Sequence, residues 1–283
     1  MGVPLTPMIP AMPPWTECHR RATLALLGVL SVGLVLSGCV APPAPGEETP
    51  LLEGLALYGT STEYDVPDPD APEVIVVKDR HTIHGAITRE RGPLMRVRRE
   101  NRGVVAFLIH KGYDLLGCEA PYGPLPHDDG PSAAHRAAVL RALETNDVLD
   151  QLTVYQPIRY EEEFRGRIDV IGMEDPTLYD ADAARLEQIQ KLRNAASRAD
   201  LTLGKRRDAV RSMMTLVNAI SKNSHQRGRA AGCNLLEHMW LFDHQRAVLV
   251  IGGAHASAAV QSLHQAGART ILFECTSYDD RGR

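Results

Sequence analysis

Histidine and acidic side chains follow four apolar, strand-like runs of this chain. Each run, with the polar residues after it, is as follows: Val74–Val77 with Asp79 and His81, Asp114–Leu116 with Glu119, Ile168–Ile171 with Glu174 and Asp175, and Val248–Ile251 with His255. Imidazole and carboxylate groups in one place suit either a divalent metal or general acid–base catalysis. The residue types of a catalytic site are therefore present, and the elements that carry them decide whether they meet.

Short β-branched runs between helical segments are typical of buried strands in a largely parallel sheet. In such sheets, ligands and catalytic residues collect at the carboxyl ends of the strands. The sequence therefore predicts an α/β fold with a largely parallel or mixed central sheet flanked by helices. Helical spacing predicts the later helices, at residues 177–198, Lys205–Lys222, Arg229–Phe242 and Ala256–Gln265.

We expect His81, Glu119 and His255 to be metal ligands, because two imidazoles and one carboxylate leave an open position for water or substrate. The predicted catalytic residues are Glu174, as general acid or base, together with His81 and His255. His255 is placed at the amino end of a helix, whose dipole favours the neutral imidazole that binds metal. The structural alternatives are an exposed loop for His81, a helix cap for Glu119 and a water-exposed position for His255.

Residues next to these candidates have predicted roles of their own. A proline follows Asp175, which is typical of a helix start, so we expect Asp175 to cap that helix and leave Glu174 for function. Tyr179 lies about one turn further and is expected to face the same pocket. Arg229 with Asn234 is a candidate clamp for an anion, although a solvated basic surface around these residues is the favoured interpretation.

The amino-terminal region has the pattern of a bacterial lipoprotein. An apolar stretch over residues 22–36 follows two arginines and ends at Leu-Ser-Gly-Cys, which is similar to a lipobox whose cysteine is Cys39. We expect residues 1–38 to be a lipoprotein signal peptide and 39–71 to be a lipid-anchored tether with an irregular lead-in. Residues 72–283 are then a single α/β domain. The alternative is an ordinary signal anchor with a chance cysteine.

Lipidation would anchor the protein to a membrane of the bacterial cell envelope, and in a Gram-negative host to the outer membrane, facing the periplasm. The net charge of −4 does not favour nucleic acid as a partner. Aromatic residues make up only 5% of the chain, which argues against a stacking platform for sugars or single strands. No Cys-x-x-Cys pair occurs, so a thiolate zinc site is not expected.

Four motifs in order resemble the erythromycin esterase/ChaN-like/TraB–Tiki superfamily. They are Lys-Asp-Arg-His-Thr at 78–82, Gly-Cys-Glu-Ala-Pro-Tyr-Gly at 117–123, Gly-Met-Glu-Asp-Pro-Thr-Leu-Tyr at 172–179 and Ile-Gly-Gly-Ala-His at 251–255. The resemblance covers roughly residues 72–275. It implies an α/β fold with a strand-end cluster of His and Glu, and His81, Glu119, Glu174 and His255 are the positions that match. The branches of this superfamily are metal-dependent proteases, lactone-cleaving esterases and haem-binding lipoproteins.

Residues and resemblance together predict a membrane-anchored extracytoplasmic hydrolase, protease-like or esterase-like, in which a divalent metal or a histidine alone activates water. The alternative is a haem-binding or small-ligand-binding lipoprotein of the ChaN-like type without turnover. In that case Tyr122, Tyr155 or Tyr179 would supply an axial oxygen to the haem. A third possibility is a partner-binding surface lipoprotein with a decayed site.

Overall fold

The computed structural model describes residues 50–80, 87–125, 137, 140–141, 156–197 and 202–278. The strands in this part of the chain are β1 (Gly59–Tyr64), β2 (Glu73–Asp79), β3 (Leu115–Pro121), β4 (Gly123–Pro124), β5 (Asp169–Glu174), β6 (Arg246–Gly252) and β7 (Arg269–Cys275). The helices are α1 (Leu51–Ala56), α2 (Ile87–His110), α3 (Gln156–Glu163), α4 (Pro176–Ala196), α5 (Leu203–Phe242) and α6 (Gly253–Gln265).

The strands form one mixed sheet in the order β1-β7-β2-β6-β3-β5-β4. The inner strands run parallel to one another, and the edge strands β1 and β4 run antiparallel to their neighbours. Val74–Val77 in β2 are fully buried on both faces, as expected for a parallel strand that is covered by helices on either side. The predicted α/β fold with a mixed central sheet flanked by helices is confirmed.

Each face of the sheet has its own apolar core. Val77 lies on the face that packs against Val97 of α2 and Tyr160 of α3. Val76 lies on the other face, which packs against Leu235 of α5 and against α6. Because successive side chains of a strand point to opposite faces, each inner strand serves both cores. Because β2, β3, β5, β6 and β7 run parallel, their carboxyl ends all lie at one edge of the sheet.

Residues 57–73, expected to be irregular, contain strand β1. It pairs with β7 from Gly59 opposite Cys275 to Tyr64 opposite Thr270. Most of its side chains are exposed, so the alternation of apolar and polar residues that signals a strand is missing. Backbone pairing to an existing sheet edge forms this strand, and that pairing is visible only in the tertiary structure.

The segment predicted as two helices is one helix of 40 residues, α5. Thr202 caps its start by accepting a hydrogen bond from the Lys205 N–H at 3.4 Å, and Asp243 ends it in the left-handed conformation with φ of 59°. The two predicted helices left residues 223–228 between them. This segment is helical as well, and Arg227 and Gly228 within it are buried against neighbouring elements.

No helix within the described residues is long and apolar enough to cross a membrane. The predicted signal peptide at 1–38 and the lipidated Cys39 lie outside the described residues. Both stay predictions from the sequence.

Candidate functional site

Three of the predicted site residues meet at the carboxyl edge of the sheet. Glu119 is near the end of β3, Glu174 is the last residue of β5, and His255 lies in the first turn of α6, directly after β6. Each offers one ligand atom, and these atoms lie within 4.8 Å of one another. The predicted convergence of these residues is therefore observed. The fourth residue, His81, lies outside the described part of the chain, so its roles as ligand and catalytic residue stay predictions.

The imidazole of His255 is held from both sides. Its Nδ1 lies 2.8 Å from the carbonyl oxygen of Ser224 and therefore donates a hydrogen bond to it. Its Nε2 lies 3.4 Å from Oε1 of Glu119. The ring is 5% exposed, so this orientation is set by protein groups rather than by water. The ring nitrogen that faces the site is Nε2.

The pKa of His255 is shifted upward, opposite to the direction that its place at the amino end of a helix led us to expect. Burial by itself would lower the pKa of His255, and the charge of Arg227 acts the same way. The hydrogen bond and the negative charge of Glu119, with the Ser224 carbonyl, more than offset these effects and raise the pKa of His255 above its ordinary value. A carboxylate at contact distance therefore favours the charged imidazolium form of this ring.

Arg227 lies in the sequence beside Arg229 and Asn234, where a solvated basic surface was favoured, but its side chain is buried within the candidate site. Its guanidinium donates from Nε to Oε1 of Glu174 at 2.9 Å and from Nη2 to Oε2 of Glu174 at 2.7 Å. The same Nη2 lies 3.0 Å from Oε1 of Glu119, and Nη1 lies 3.2 Å from Oδ2 of Asp182. Burial opposes the charged form, but the hydrogen bonds and charge of Glu174 raise the pKa of Arg227. The site therefore contains its own permanent cation.

Glycines on α5 allow Arg227 to reach this position. A Cβ on Gly228 would lie 2.2 Å from the carbonyl oxygen of His255, and a Cβ on Gly232 would lie 2.2 Å from Oγ of Ser262. Only glycine permits α5 to approach α6 so closely. Two glycines one helical turn apart were the sequence signal that this part of α5 is a packing surface, and Arg227 precedes the first of them.

Asp182 of α4 completes the charged network. It is 1% exposed and accepts hydrogen bonds from Arg185 Nη1 at 2.7 Å and Asn223 Nδ2 at 3.2 Å, besides that from Arg227. A carboxylate so deeply buried is stable only with such partners. Asp182 therefore fixes the far side of the guanidinium and ties α4 to α5.

Glu119 also closes the amino end of α6. Its Oε2 accepts the Gly252 N–H at 2.8 Å, so one carboxylate contacts Arg227, His255 and the start of a helix. The cap weighed as an alternative was for the helix that follows Glu119 in the chain, whereas this contact is made to the start of α6. Tyr278 also lies here, since its hydroxyl oxygen would be 1.7 Å from a Cβ on Gly253.

The carboxylates of the site repel one another, and Arg227 partly relieves this. Burial raises the pKa of Glu174, and the nearby charge of Glu119 raises it further. The hydrogen bonds and charge of Arg227 act in the opposite direction without cancelling the shift. The centre of the site therefore favours the uptake of a positive charge, which is either a proton or a cation.

The predictions for residues next to the site are confirmed in part. Asp175 caps α4, as predicted, by accepting the Leu178 N–H at 3.0 Å. Tyr179 faces the site, as predicted, because its ring centroid lies 5.6 Å from Cζ of Arg227. Arg229 is exposed, in agreement with the favoured solvated basic surface, and the Asn234 side chain donates to the Met173 carbonyl at 2.8 Å, so the two do not form the alternative anion clamp.

Asp79 ends β2 at the same edge of the sheet but belongs to the opposite face. Its Oδ1 accepts a hydrogen bond from Asn101 Nδ2 of α2 at 3.2 Å. The preceding residue, Lys78, forms an ion pair with Glu274 at 2.5 Å. Strand alternation therefore separates Asp79 from the cluster around Arg227.

Glu119, Glu174 and His255 could hold a metal ion, since two carboxylates and one imidazole are a donor set that divalent cations use. Arg227 already donates to both carboxylates. Each carboxylate has about four lone-pair positions, so an ion and the guanidinium are able to share them. The residues present therefore fit a metal in type, with Arg227 as a competing cation.

Comparisons with protein-family models, with curated proteins and with solved structures found no match to this chain.

Proposed function

We propose that this chain is a hydrolase of the bacterial cell envelope in which His255 and Glu119 activate water beside the fixed charge of Arg227. The observation that carries the proposal is the orientation of the imidazole. Its Nδ1 is held by the Ser224 carbonyl at 2.8 Å, so Nε2 faces the site and Glu119 at 3.4 Å. A histidine with one nitrogen fixed by a backbone oxygen and the other free to exchange a proton is suited to general acid–base catalysis.

His255 and Glu119 act as a pair that holds one proton. The neutral ring accepts a proton at Nε2 from the attacking water, and the protonated ring, which the raised pKa of His255 favours, then gives that proton to the leaving group. Glu119 stabilises the protonated ring and is itself held by Gly252 and Arg227. The two groups therefore support both halves of a hydrolytic cycle.

Glu174 and Arg227 have a different role in this proposal. Both oxygens of Glu174 accept hydrogen bonds from Arg227, so we assign Glu174 to positioning the guanidinium rather than to proton transfer. The guanidinium also donates to Oε1 of Glu119 at 3.0 Å, so its positive charge holds the carboxylate that pairs with His255. Because Asp182 holds the guanidinium from behind, this charge does not need to reorganise during the reaction.

A divalent metal is the second form of the same proposal. It is supported by the proximity of ligand atoms from Glu119, Glu174 and His255, within 4.8 Å of one another. A metal bound there would polarise water and lower its pKa. In that form Arg227 balances the remaining charge of the carboxylates.

The envelope location is part of the proposal and is supported by the lipobox-like sequence that ends at Cys39. A panel of ester, lactone and peptide substrates tests the activity of the purified chain, with chelator and with added manganese, cobalt or zinc. We expect turnover of at least one substrate class, its loss in His255→Gln and Glu119→Gln, and its retention in His110→Gln, an exposed control. Turnover that survives His255→Gln, or none across the panel, would contradict the proposal.

A further inference from the structure

The first half of α5 has an exposed apolar stripe. Its members are Leu203, Val210, Met214 and Val217, which are between 41% and 67% exposed. Spacings of seven, four and three residues place all of them on one side of an α-helix. A different side of the same segment, which includes Ala209, Met213 and Leu216, is partly buried. The stripe is therefore not the side by which α5 packs on its own domain.

Basic residues surround this stripe. Arg207 follows Leu203 by four positions, and Arg211 precedes Met214 by three, so both border the stripe on the helix surface. Residues 203–222 contain five basic side chains and one acidic side chain: Lys205, Arg206, Arg207, Arg211, Lys222 and Asp208. The only acid, Asp208, already pairs with Arg211 at 3.3 Å. Residues 203–222 therefore have a net charge of +4, and Arg207 and Arg211 place part of that charge beside the stripe.

We propose that this stripe, with Arg207 and Arg211 beside it, docks on an anionic lipid surface. Helices that lie on membranes place apolar side chains below the headgroups and basic side chains among anionic lipids. The basic side chains match the negative charge of anionic lipid headgroups, which favours a membrane over a second copy of this chain as the partner. Two copies that met through this surface would place the same arginines against each other. The proposal is independent of the hydrolase activity.

The predicted lipid anchor makes such docking efficient. Cys39 precedes Pro50, the first described residue, by a span that extends at most about 40 Å. A domain held so close to a bilayer binds it at a high effective concentration, so a modest surface affinity is sufficient. Docking through α5 would then fix the orientation of the domain on the membrane.

Lipid quenching of a fluorescent label tests this proposal in the full chain. The background protein carries Cys18→Ser, Cys39→Ser and Cys233→Ser, so that the label reacts only with the introduced cysteine. Cys118 and Cys275 are buried and are left in place. One variant adds Met214→Cys in the stripe, and a matched control adds Ser212→Cys, on the opposite side of the helix. Each labelled protein is mixed with vesicles of phosphatidylcholine, with or without an equal amount of phosphatidylglycerol, that contain a lipid-chain quencher.

We expect severalfold stronger quenching at position 214 than at 212, only in the vesicles with phosphatidylglycerol. The triple substitution Arg207→Gln, Arg211→Gln and Lys222→Gln should abolish the difference while the circular dichroism spectrum stays unchanged. Equal quenching at both positions, or the same quenching without phosphatidylglycerol, would overturn the proposal. So would cross-linking of two copies through position 214 in the absence of vesicles, because it would identify a second copy as the occupant.

Discussion

Arg227 holds Glu174 by two parallel hydrogen bonds, with Nε 2.9 Å from Oε1 and Nη2 2.7 Å from Oε2. Both side chains are buried, Glu174 completely. A two-point contact between guanidinium and carboxylate fixes direction as well as distance. Because Glu174 ends β5 and Arg227 lies within α5, this pair sets where α5 crosses the carboxyl edge of the sheet.

Removing the guanidinium should destabilise the protein strongly. Arg227→Met leaves Glu119, Glu174 and Asp182 without their shared cation, and we expect a loss of about 3–5 kcal/mol in the free energy of unfolding. Urea denaturation followed by circular dichroism measures this. The control is Arg229→Met, an exposed arginine two residues away, which should change stability by less than about 0.5 kcal/mol.

A second variant separates lost charge from lost packing. The double substitution Arg227→Met with Glu174→Gln should recover part of the stability, because one unpaired charge is removed. If Arg227→Met costs no more than Arg229→Met, the guanidinium is not the partner of the buried carboxylates.

A methyl group at Gly228 should separate α5 from α6. The added Cβ would lie 2.2 Å from the His255 carbonyl oxygen, so Gly228→Ala is expected to cost about 1–3 kcal/mol. Gly204→Ala is the matched control, since it lies in the same helix with nothing within 4 Å of the added Cβ. Alanine there should stabilise the helix by up to about 1 kcal/mol. Opposite shifts of the melting temperature are expected, and a Gly228→Ala variant that melts no lower than wild type would contradict the contact.

Protonation of His255 should stabilise the folded protein. Its pKa is raised in the folded state, so the folded chain binds this proton more tightly than the unfolded chain does. The stabilisation is complete below the unfolded pKa of about 6.5 and is lost as pH rises through the higher folded pKa. The free energy of unfolding of wild type should therefore fall, relative to His255→Gln, as pH rises above about 6.5. Parallel curves for the two proteins would show that His255 does not titrate as described.

Metal binding makes a distinct prediction about melting. If Glu119, Glu174 and His255 hold a divalent ion, a hundredfold excess over its dissociation constant adds roughly 2.7 kcal/mol to stability. The melting temperature should rise by several degrees with manganese, cobalt or zinc and fall back with chelator. Glu119→Gln and His255→Ala should lose this response, and His110→Ala should keep it. A wild-type melting point that no ion or chelator changes would leave only the metal-free form of the hydrolase proposal.

Lipidation at Cys39 predicts membrane attachment that depends on one thiol. Cys39→Ser should give an unprocessed or soluble protein, because the acyl chains are absent. Each buried methylene group of such a chain contributes about 0.8 kcal/mol to membrane binding. Fractionation of cells and mass measurement check this, with Cys233→Ser as the control. A Cys39→Ser protein that stays in the membrane at the processed mass would refute the lipobox interpretation.

The sequence predicted much of the fold from local patterns. Continuous β-branched runs such as Val74–Val77 identify buried parallel strands because both of their faces must be apolar. The Asp175 cap and helix α4 follow from short-range hydrogen bonding and helical spacing, which need no tertiary contact. Strand β1 escaped prediction because its exposed side chains carry no apolar alternation, and its pairing with β7 joins segments about two hundred residues apart in the chain.

For the candidate site as well, the sequence predicted some features and only the tertiary structure decided the others. The sequence by itself placed Glu119, Glu174 and His255 at one edge, because carboxyl ends of parallel strands share an edge whatever the details of packing. Only the tertiary structure decided that Arg227 joins them, since its place depends on the close approach of α5 to α6 at Gly228. The upward shift of the His255 pKa was likewise decided there, because it depends on a carboxylate at 3.4 Å and no sequence pattern reports that distance.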